Sequence, residues 1–326
     1  MFILKTKKII LIITALIGAV ILCFSGCDKN KFADQERKNL VIENGVFSVN
    51  FLRLNLGDCT IVKLPDGRAI MIDVGLGEED YKIIKDCLTA SSIDKIDYCI
   101  LSSLFSINEI NRFLDEFTFD TVFLPTLKNT ENIEGYDQTI LNLRDKSINI
   151  EPTTVGNSVI EEDYFFTFLS PITVGVDSMI KDLERGEITK SNAEYASAVV
   201  YLDYNGKTFI FGGDANKESF DRILELDSVN FYNVITSGTN KRVSLSNVDL
   251  FKVSKHGDKN CINEDFCNKI SAKFGVFSVN SINNERYPHS FAVSALVKAN
   301  KNVTILRTDQ KGSFSVFLDG ERLKAK

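Results

Sequence analysis

The side chains of this 326-residue sequence best suited to chemistry are two carboxylates, Asp73 and Asp214, and the only two histidines, His256 and His289. Asp73 closes an apolar run just before Val74-Gly75, and Asp214 follows Gly212-Gly213. His256 stands before Gly257, and His289 just ahead of an apolar helical pattern. Four such oxygen and nitrogen donors are enough in principle for one metal ion, zinc or manganese by donor type. A centre built on three or more imidazoles is excluded by the histidine count. Each residue also has a structural role open to it. Asp214 is suited to cap the helix expected near Asn216, and Asp73 to accept hydrogen bonds from loop amides. His289 sits where a helix begins, and His256 on a strand-end loop. No Ser-His-Asp or Cys-His spacing occurs. Cys59 follows Gly57-Asp58 as an imaginable nucleophile, but its apolar surroundings favour core packing.

These residues come from distant segments, so the elements between them must bring them together. Phe47, Val49, Phe51 and Leu54 alternate as a strand, and Cys59–Leu64 reads as a second. Pro65-Asp66-Gly67 turns the chain into a third, Ala69–Val74, which ends at Asp73 and Gly75. Helical spacing over Glu78–Thr89 precedes a strand at Tyr98–Leu101, and a helix pattern over Ile110, Phe113, Leu114 and Phe117 precedes one at Thr121–Leu124. Ile133–Leu143 predicts a helix. Tyr164–Leu169 is a strand, and a polar stretch follows through Lys181–Asn192. Ala198–Leu202 and Thr208–Phe211 flank Asn205-Gly206, a type I′ hairpin signal. Phe220, Ile223 and Leu224 mark a helix, and Phe291–Ala299 another. Strands are expected at Asn233–Ile235, Leu250–Val253, Val276–Val279, Val303–Leu306 and Phe314–Phe317. Alternating β and α units argue for an α/β fold with covered sheet faces. No linker rich in Gly or Pro divides the body, which reads as one domain.

Composition is that of a globular protein, with 44% hydrophobic and 25% charged residues. Formal net charge is -6. The first 26 residues hold lysines and no acid, so the remainder is more acidic still, and nucleic acid is not an expected partner. Lys5, Lys7 and Lys8 precede an apolar run from Ile9 to Phe24, too short for the hydrocarbon core and shaped like a secretory signal. It ends in Phe24-Ser25-Gly26-Cys27, which resembles the lipobox of bacterial lipoproteins, with Phe24 where Leu is usual. The resemblance implies lipidation at Cys27 and a signal over 1–26. A lipid-anchored tether over 27–45 and a domain over 46–326 complete the expected organisation. The anchor would place the chain on the extracytoplasmic face of the cell membrane. Once Cys23 and Cys27 are set aside, five cysteines remain, an odd set for a disulfide framework. Cys261 and Cys267 are close enough in sequence to pair, though spacing cannot decide it. No C-x-x-C occurs, which disfavours a thiolate zinc site.

Several stretches fall in a recognisable order: Leu54-Asn55-Leu56-Gly57-Asp58, Leu64-Pro65-Asp66-Gly67 and Met71-Ile72-Asp73-Val74-Gly75, then Tyr98–Ser102, Phe211-Gly212-Gly213-Asp214, and Phe251–Gly257. Asn284–His289 before a helix and Arg307-Thr308-Asp309-Gln310 before Gly312 complete the series. Over roughly residues 46 to 318 this resembles metallo-β-lactamase-fold domains of the group found in ComEC, the DNA-uptake channel protein of competence. The resemblance implies a four-layer αββα sandwich with the site along one edge of the paired sheets, and Asp214 at the position of a metal-bridging aspartate. The family's His-x-His-x-Asp-His motif, which supplies most ligands for two zinc ions, aligns with Ser103, Phe105, Ile107 and Asn108. Phe and Ile donate nothing to a metal, and Lys255 replaces one histidine of the late pair. The expectation is a metal-free, non-catalytic protein with a binding or scaffold role and an unidentified protein or small-molecule partner. The competing expectation is a hydrolase or phosphodiesterase rebuilt around one ion held by Asp73, Asp214, His256 and His289. Charge replacement at the vacated site is expected from Lys255, or failing that from protonated His256, beside Asp214, with Phe105 and Ile107 filling the volume of lost imidazoles; the alternative leaves Lys255 in solvent.

Overall fold

The computed structural model describes residues 40–172, 178–235, 238–239 and 241–326. The signal segment, Cys27 and most of the tether lie outside them. The described residues form two sheets. The first is built from β1 (Ser48–Phe51), β2 (Thr60–Lys63), β3 (Ala69–Ile72), helix α1 (Gly77–Ala90), β4 (Lys95–Ile100), a 3-10 segment (Leu104–Arg112), β5 (Thr118–Leu124), α2 (Tyr136–Asp145) and β6 (Asn149–Pro152). The second follows with β7 (Ser158–Ile160), β8 (Tyr164–Ser170), α3 (Ser178–Glu184), α4 (Lys190–Tyr195), β9 (Val199–Tyr204), β10 (Lys207–Phe211), α5 (Lys217–Ser228), α6 (Phe231–Ile235), β11 (Leu250–Lys252), α7 (Glu264–Ile270), β12 (Phe274–Phe277), α8 (Ser290–Ala299) and β13 (Thr304–Arg307). The chain then returns to the first sheet with β14 (Phe314–Asp319) and β15 (Arg322–Ala325). Strand orders are β15-β14-β1-β2-β3-β4-β5-β6 and β13-β12-β11-β10-β9-β8-β7.

Apolar residues on both faces of the central strands fix the layers. Phe47, Val49, Ile70 and Phe123 of the first sheet meet Phe166, Val200, Phe209 and Val276 of the second in one buried layer. A separate core under α1 covers the outer face of the first sheet, and another under α5, α7 and α8 covers that of the second. This is the four-layer αββα sandwich, the metallo-β-lactamase architecture.

Local expectations and structure differ in places. Asn233–Ile235 belongs to helix α6, not a strand. Its run is too short to show a period, and Tyr232 anchors the turn by burying its ring and donating to the Leu169 carbonyl (2.8 Å). The apolar pattern around Ile110 folds as a 3-10 segment that stops at Arg112. The polar stretch holds α3 and α4, the latter started by a Thr189–Asn192 capping box. The body also begins before residue 46. Ile42 is buried and its N–H donates to Ser91 Oγ (2.8 Å).

The C-terminal ends of β3, β4, β10 and β11 open toward one edge, and hydrogen bonds tie them together there. Asp73 N–H donates to the Ile100 carbonyl (2.8 Å), Ala198 N–H to Ser102 (2.9 Å), and Lys255 N–H to Gly213 (2.8 Å).

Candidate functional site

Asp73 leaves β3 with φ of 60°, a backbone conformation uncommon outside glycine. That turn aims its carboxylate at the start of the β4 exit loop. There it accepts from Ser102 N–H (2.7 Å) and Ser102 Oγ–H (2.8 Å), the loop-amide role read from the sequence. Burial, and next the Asp58 carboxylate, push its pKa up to about 7 against the opposing pull of the Ser102 hydrogen bonds and Lys252. A carboxyl that binds its proton more tightly folded than unfolded loses stability as pH rises. Asp73 should therefore oppose folding increasingly from about pH 4, its unfolded range, to about pH 7, by up to ~1.4 kcal/mol per pH unit. Stability of the parent minus that of Asp73→Asn, followed by urea unfolding across that window, should fall with pH. A flat difference would contradict the assignment.

Asp58 lies on a turn that only glycine permits at position 57, where a Cβ would stand 2.5 Å from the Gly75 backbone. One carboxylate oxygen pairs with the ammonium of Lys252, which is 2% exposed. The other, Oδ1, is buried and accepts no hydrogen bond. Burial alone would lower the Lys252 pKa, but Asp58, then Asp73 and Asp214, outweigh it and hold it above the ordinary lysine value. The turn itself is clamped by Asp80 of α1. That buried carboxylate accepts from the N–H groups of Asn55 (2.6 Å), Leu56 (3.3 Å), Gly57 (2.7 Å) and Leu76 (3.0 Å).

Asp214 follows Gly213, whose φ of 52° and contact with Ala198 leave no room for a side chain. Its N–H donates to Ser197 Oγ (2.9 Å). It does not cap α5. Asn216 does, with its side-chain oxygen accepting from Ser219 N–H (3.1 Å). Asn216 stands at the extended position before the first turn, where a cap oxygen reaches N3, and Asp214 is two residues too early.

Lys255 is not the partner of Asp214. Its ammonium pairs with Glu194 of α4, both groups largely buried, because the left-handed backbone at Lys255 (φ 44°) turns the chain away from β11. Positive charge reaches Asp214 from Lys252 instead. Among the motif positions, Ser103 and Phe105 line the cavity, but Phe105 is 59% exposed and fills no interior volume. Ile107 is buried in the core beneath the first sheet, outside the cavity. Asn108 packs against Gly135 instead, its carbonyl accepting from Asn111 Nδ2 (2.8 Å). His256 lines the cavity, and its Nδ1 lies 2.8 Å from the Ser278 carbonyl. A carbonyl only accepts, so Nδ1 is the nitrogen that donates to it. His289 stands apart, at the start of α8, with Nδ1 accepting from Lys259 N–H (3.0 Å). Tyr287 packs between the two imidazoles, 5.8 Å from His256 and 5.3 Å from His289, and donates to Asp258 (3.0 Å).

The structure thus brings Asp73, Ser103, Phe105, Asp214 and His256 to one cavity of about 150 Å³ and leaves Ile107, Asn108, Lys255 and His289 outside its lining. Asp58, Lys252 and Asp80 were not singled out from the sequence. A lysine inside the apolar run Leu250–Val253 was the available signal for the pair. The residues present do not fit a two-metal centre. Two of four motif positions face away, and the two that remain offer a hydroxyl and a phenyl ring. Among the described residues no three His, Cys, Asp or Glu side chains group as a metal ion requires. The four donors considered for a single ion do not converge either, since His289 is engaged elsewhere. All five described cysteines are free and buried, so Cys261 and Cys267 are unpaired. Burial pushes the Cys59 thiol well above its ordinary range, which disfavours the thiolate a nucleophile needs.

No family model matches the chain. It is similar to ComE operon protein 3 of Bacillus subtilis (strain 168), with 23% identity over 286 residues covering 81% of this chain. The chain spans about a third of that relative, 32% of its length. Among solved structures it is similar to the metallo-β-lactamase fold protein YhfI of Bacillus subtilis (TM-score 0.50, 11% identity, 84% of this chain and 100% of that one). It is also similar to CmlA, a diiron β-hydroxylase from Streptomyces venezuelae (TM-score 0.51, 9% identity, 84% and 54%).

Proposed function

On a ComEC-like chain with the metallo-β-lactamase fold, we propose a non-catalytic binding or scaffold function, carried out at the extracytoplasmic face of the membrane by a protein lipidated on Cys27. One observation carries the reading: the positions of the family's metal motif supply no converging donors. Ser103 and Phe105 line the cavity, while Ile107 and Asn108 lie outside its lining. Two-metal hydrolysis depends on ions that generate hydroxide and steady the leaving oxygen. A cavity with one imidazole and three carboxylates beside a buried ammonium is better suited to holding a ligand than to activating water. The basic, apolar start ending in Cys27 supports the anchored placement.

The test has two parts. Full-length protein purified in detergent and analysed for zinc, manganese and iron should carry well under one ion per chain and leave phosphodiesters and β-lactams intact. One or two bound ions, lost in Asp214→Ala, would refute the non-catalytic reading. Separately, Cys27→Ala should abolish lipid labelling and shift the precursor's processing. Unchanged processing and membrane retention would remove the lipid anchor from the proposal.

A further inference from the structure

We infer that the groove between helix α8 and the open edge of strand β13 takes an extended peptide segment of another protein, apolar at alternate residues and acidic at its flanks, as an added strand of the second sheet. This goes beyond the reading above and does not rest on it, since the groove shares no lining residue with the cavity of Asp73 and Asp214.

The edge is one that another strand can join. β13 ends its sheet, with β12 on one side and no strand on the other. Its parallel register sets Thr304 opposite Phe274, and Thr304 N–H donates to the Lys273 carbonyl (2.8 Å). Backbone groups alternate sides along a strand, so those of Ile305 face outward. The other three sheet edges are guarded as edges usually are. β6 ends in Pro152, β7 has three residues, and β15 carries Arg322 and Lys324. β13 has none of these devices over Thr304-Ile305-Leu306. Beside it lies a surface for the side chains of a new strand. Leu306 faces the layer between the sheets and Ile305 the core under α8, so every second residue of an added strand would also face α8. Only one of the ten residues of α8, Lys298, is charged, the composition of a buried helix. Yet Val293, Ser294 and Val297 line an open groove of about 680 Å³, and Val297 is 43% exposed. At ~1.5 Å per residue α8 is ~15 Å long, the reach of about four or five extended residues.

Charge sets the flanks. Lys298, Lys301 and Arg307 line the groove and no acid does, on a chain of net charge -6. Arg307 pairs with Asp309, and Lys298 with Glu264 across exposed surface, where such pairs hold weakly. Lys301 is exposed and in no ion pair among the described residues. A second copy docking by the same face would add three more cations and no acid, so the complementary partner is an acid-flanked segment of a different protein. Main-chain hydrogen bonds to the edge would supply affinity and the groove would select the side chains.

Full-length protein in nanodiscs of phosphatidylcholine, which keep detergent out of the groove, is titrated against a fluorescein-labelled Asp-Asp-Val-Thr-Val-Thr-Val-Asp-Asp peptide and followed by anisotropy. The expected result is saturable binding at roughly 100 µM. A lysine-flanked version, and one N-methylated through its five central residues, should each bind at least about tenfold more weakly. Val297→Asp and Lys301→Glu change exposed side chains and should each weaken binding about fivefold or more. Lys301→Glu should in turn prefer the lysine-flanked peptide over the parent protein's level, which a merely structural role would not produce. No saturation below about 2 mM, equal binding of the N-methylated or lysine-flanked peptide, or affinity unchanged in both variants overturns the inference. Sedimentation of the same protein in detergent supplies the remaining outcome. A dimer dispersed by Val297→Asp would assign the face to a second copy and overturn the peptide reading.

Discussion

Replacing Asp80 with alanine is expected to cost about 4 kcal/mol of folding stability, far more than its place among the acidic residues of the first turn of α1 suggests. Acids at a helix start usually contribute ~0.3–1 kcal/mol through the helix dipole. Asp80 is fully buried and accepts from four backbone N–H groups on two loops. Each orphaned buried donor costs about 1–3 kcal/mol, partly relieved as water enters the gap. Asp80→Asn keeps one acceptor oxygen but brings donors against donors, so it should recover less than half of the loss. Urea unfolding with an unchanged m-value measures both. A loss below ~1 kcal/mol for Asp80→Ala would show that the loops hold their shape without the clamp.

Lys252→Met is the second large effect, expected at about 3–5 kcal/mol at neutral pH. Methionine replaces the length of the stem but leaves Asp58 uncompensated beside Asp73 and Asp214. Acid should shrink the deficit, because protonated carboxyls no longer need a counter-charge. Pairing the change with Asp58→Asn should return much of the stability, since removing both charges is far cheaper than removing one. If the double variant is as unstable as Lys252→Met, the ion pair is not what the lysine contributes.

The fold was legible where apolar runs were long enough to carry a period. β1, β3, β8, β10 and β14 announce themselves that way, and Asn205-Gly206 adopts the two positive φ values, 48° and 77°, that its hairpin requires. β6, β7 and β15 escaped because they are edge strands of only three or four residues, too short and too interrupted by polar residues to show a period. Asn233–Ile235 misled because three residues cannot distinguish strand from helix. At the site, the acceptor role of Asp73 was readable from its place at a strand end, but its partner Ser102 stands 29 residues further along the chain. Lys252–Asp58 and Lys255–Glu194 join residues 194 and 61 positions apart, and sequence spacing carries no trace of such pairs. A lysine standing where the resembled family has a histidine looks like the natural partner of Asp214. The left-handed turn at Lys255 is what sends it elsewhere.

The exposed ring at the cavity mouth has an optical consequence. The chain contains no tryptophan, so Phe105→Trp would install its sole indole at the rim, largely in solvent and within reach of whatever enters. Its emission would be free of background from any other indole. A shift toward the blue would report the ring being covered, and quenching by added iodide would report it being bare. The same position that offers a ligand an apolar edge thus offers the experimenter a window on that edge alone.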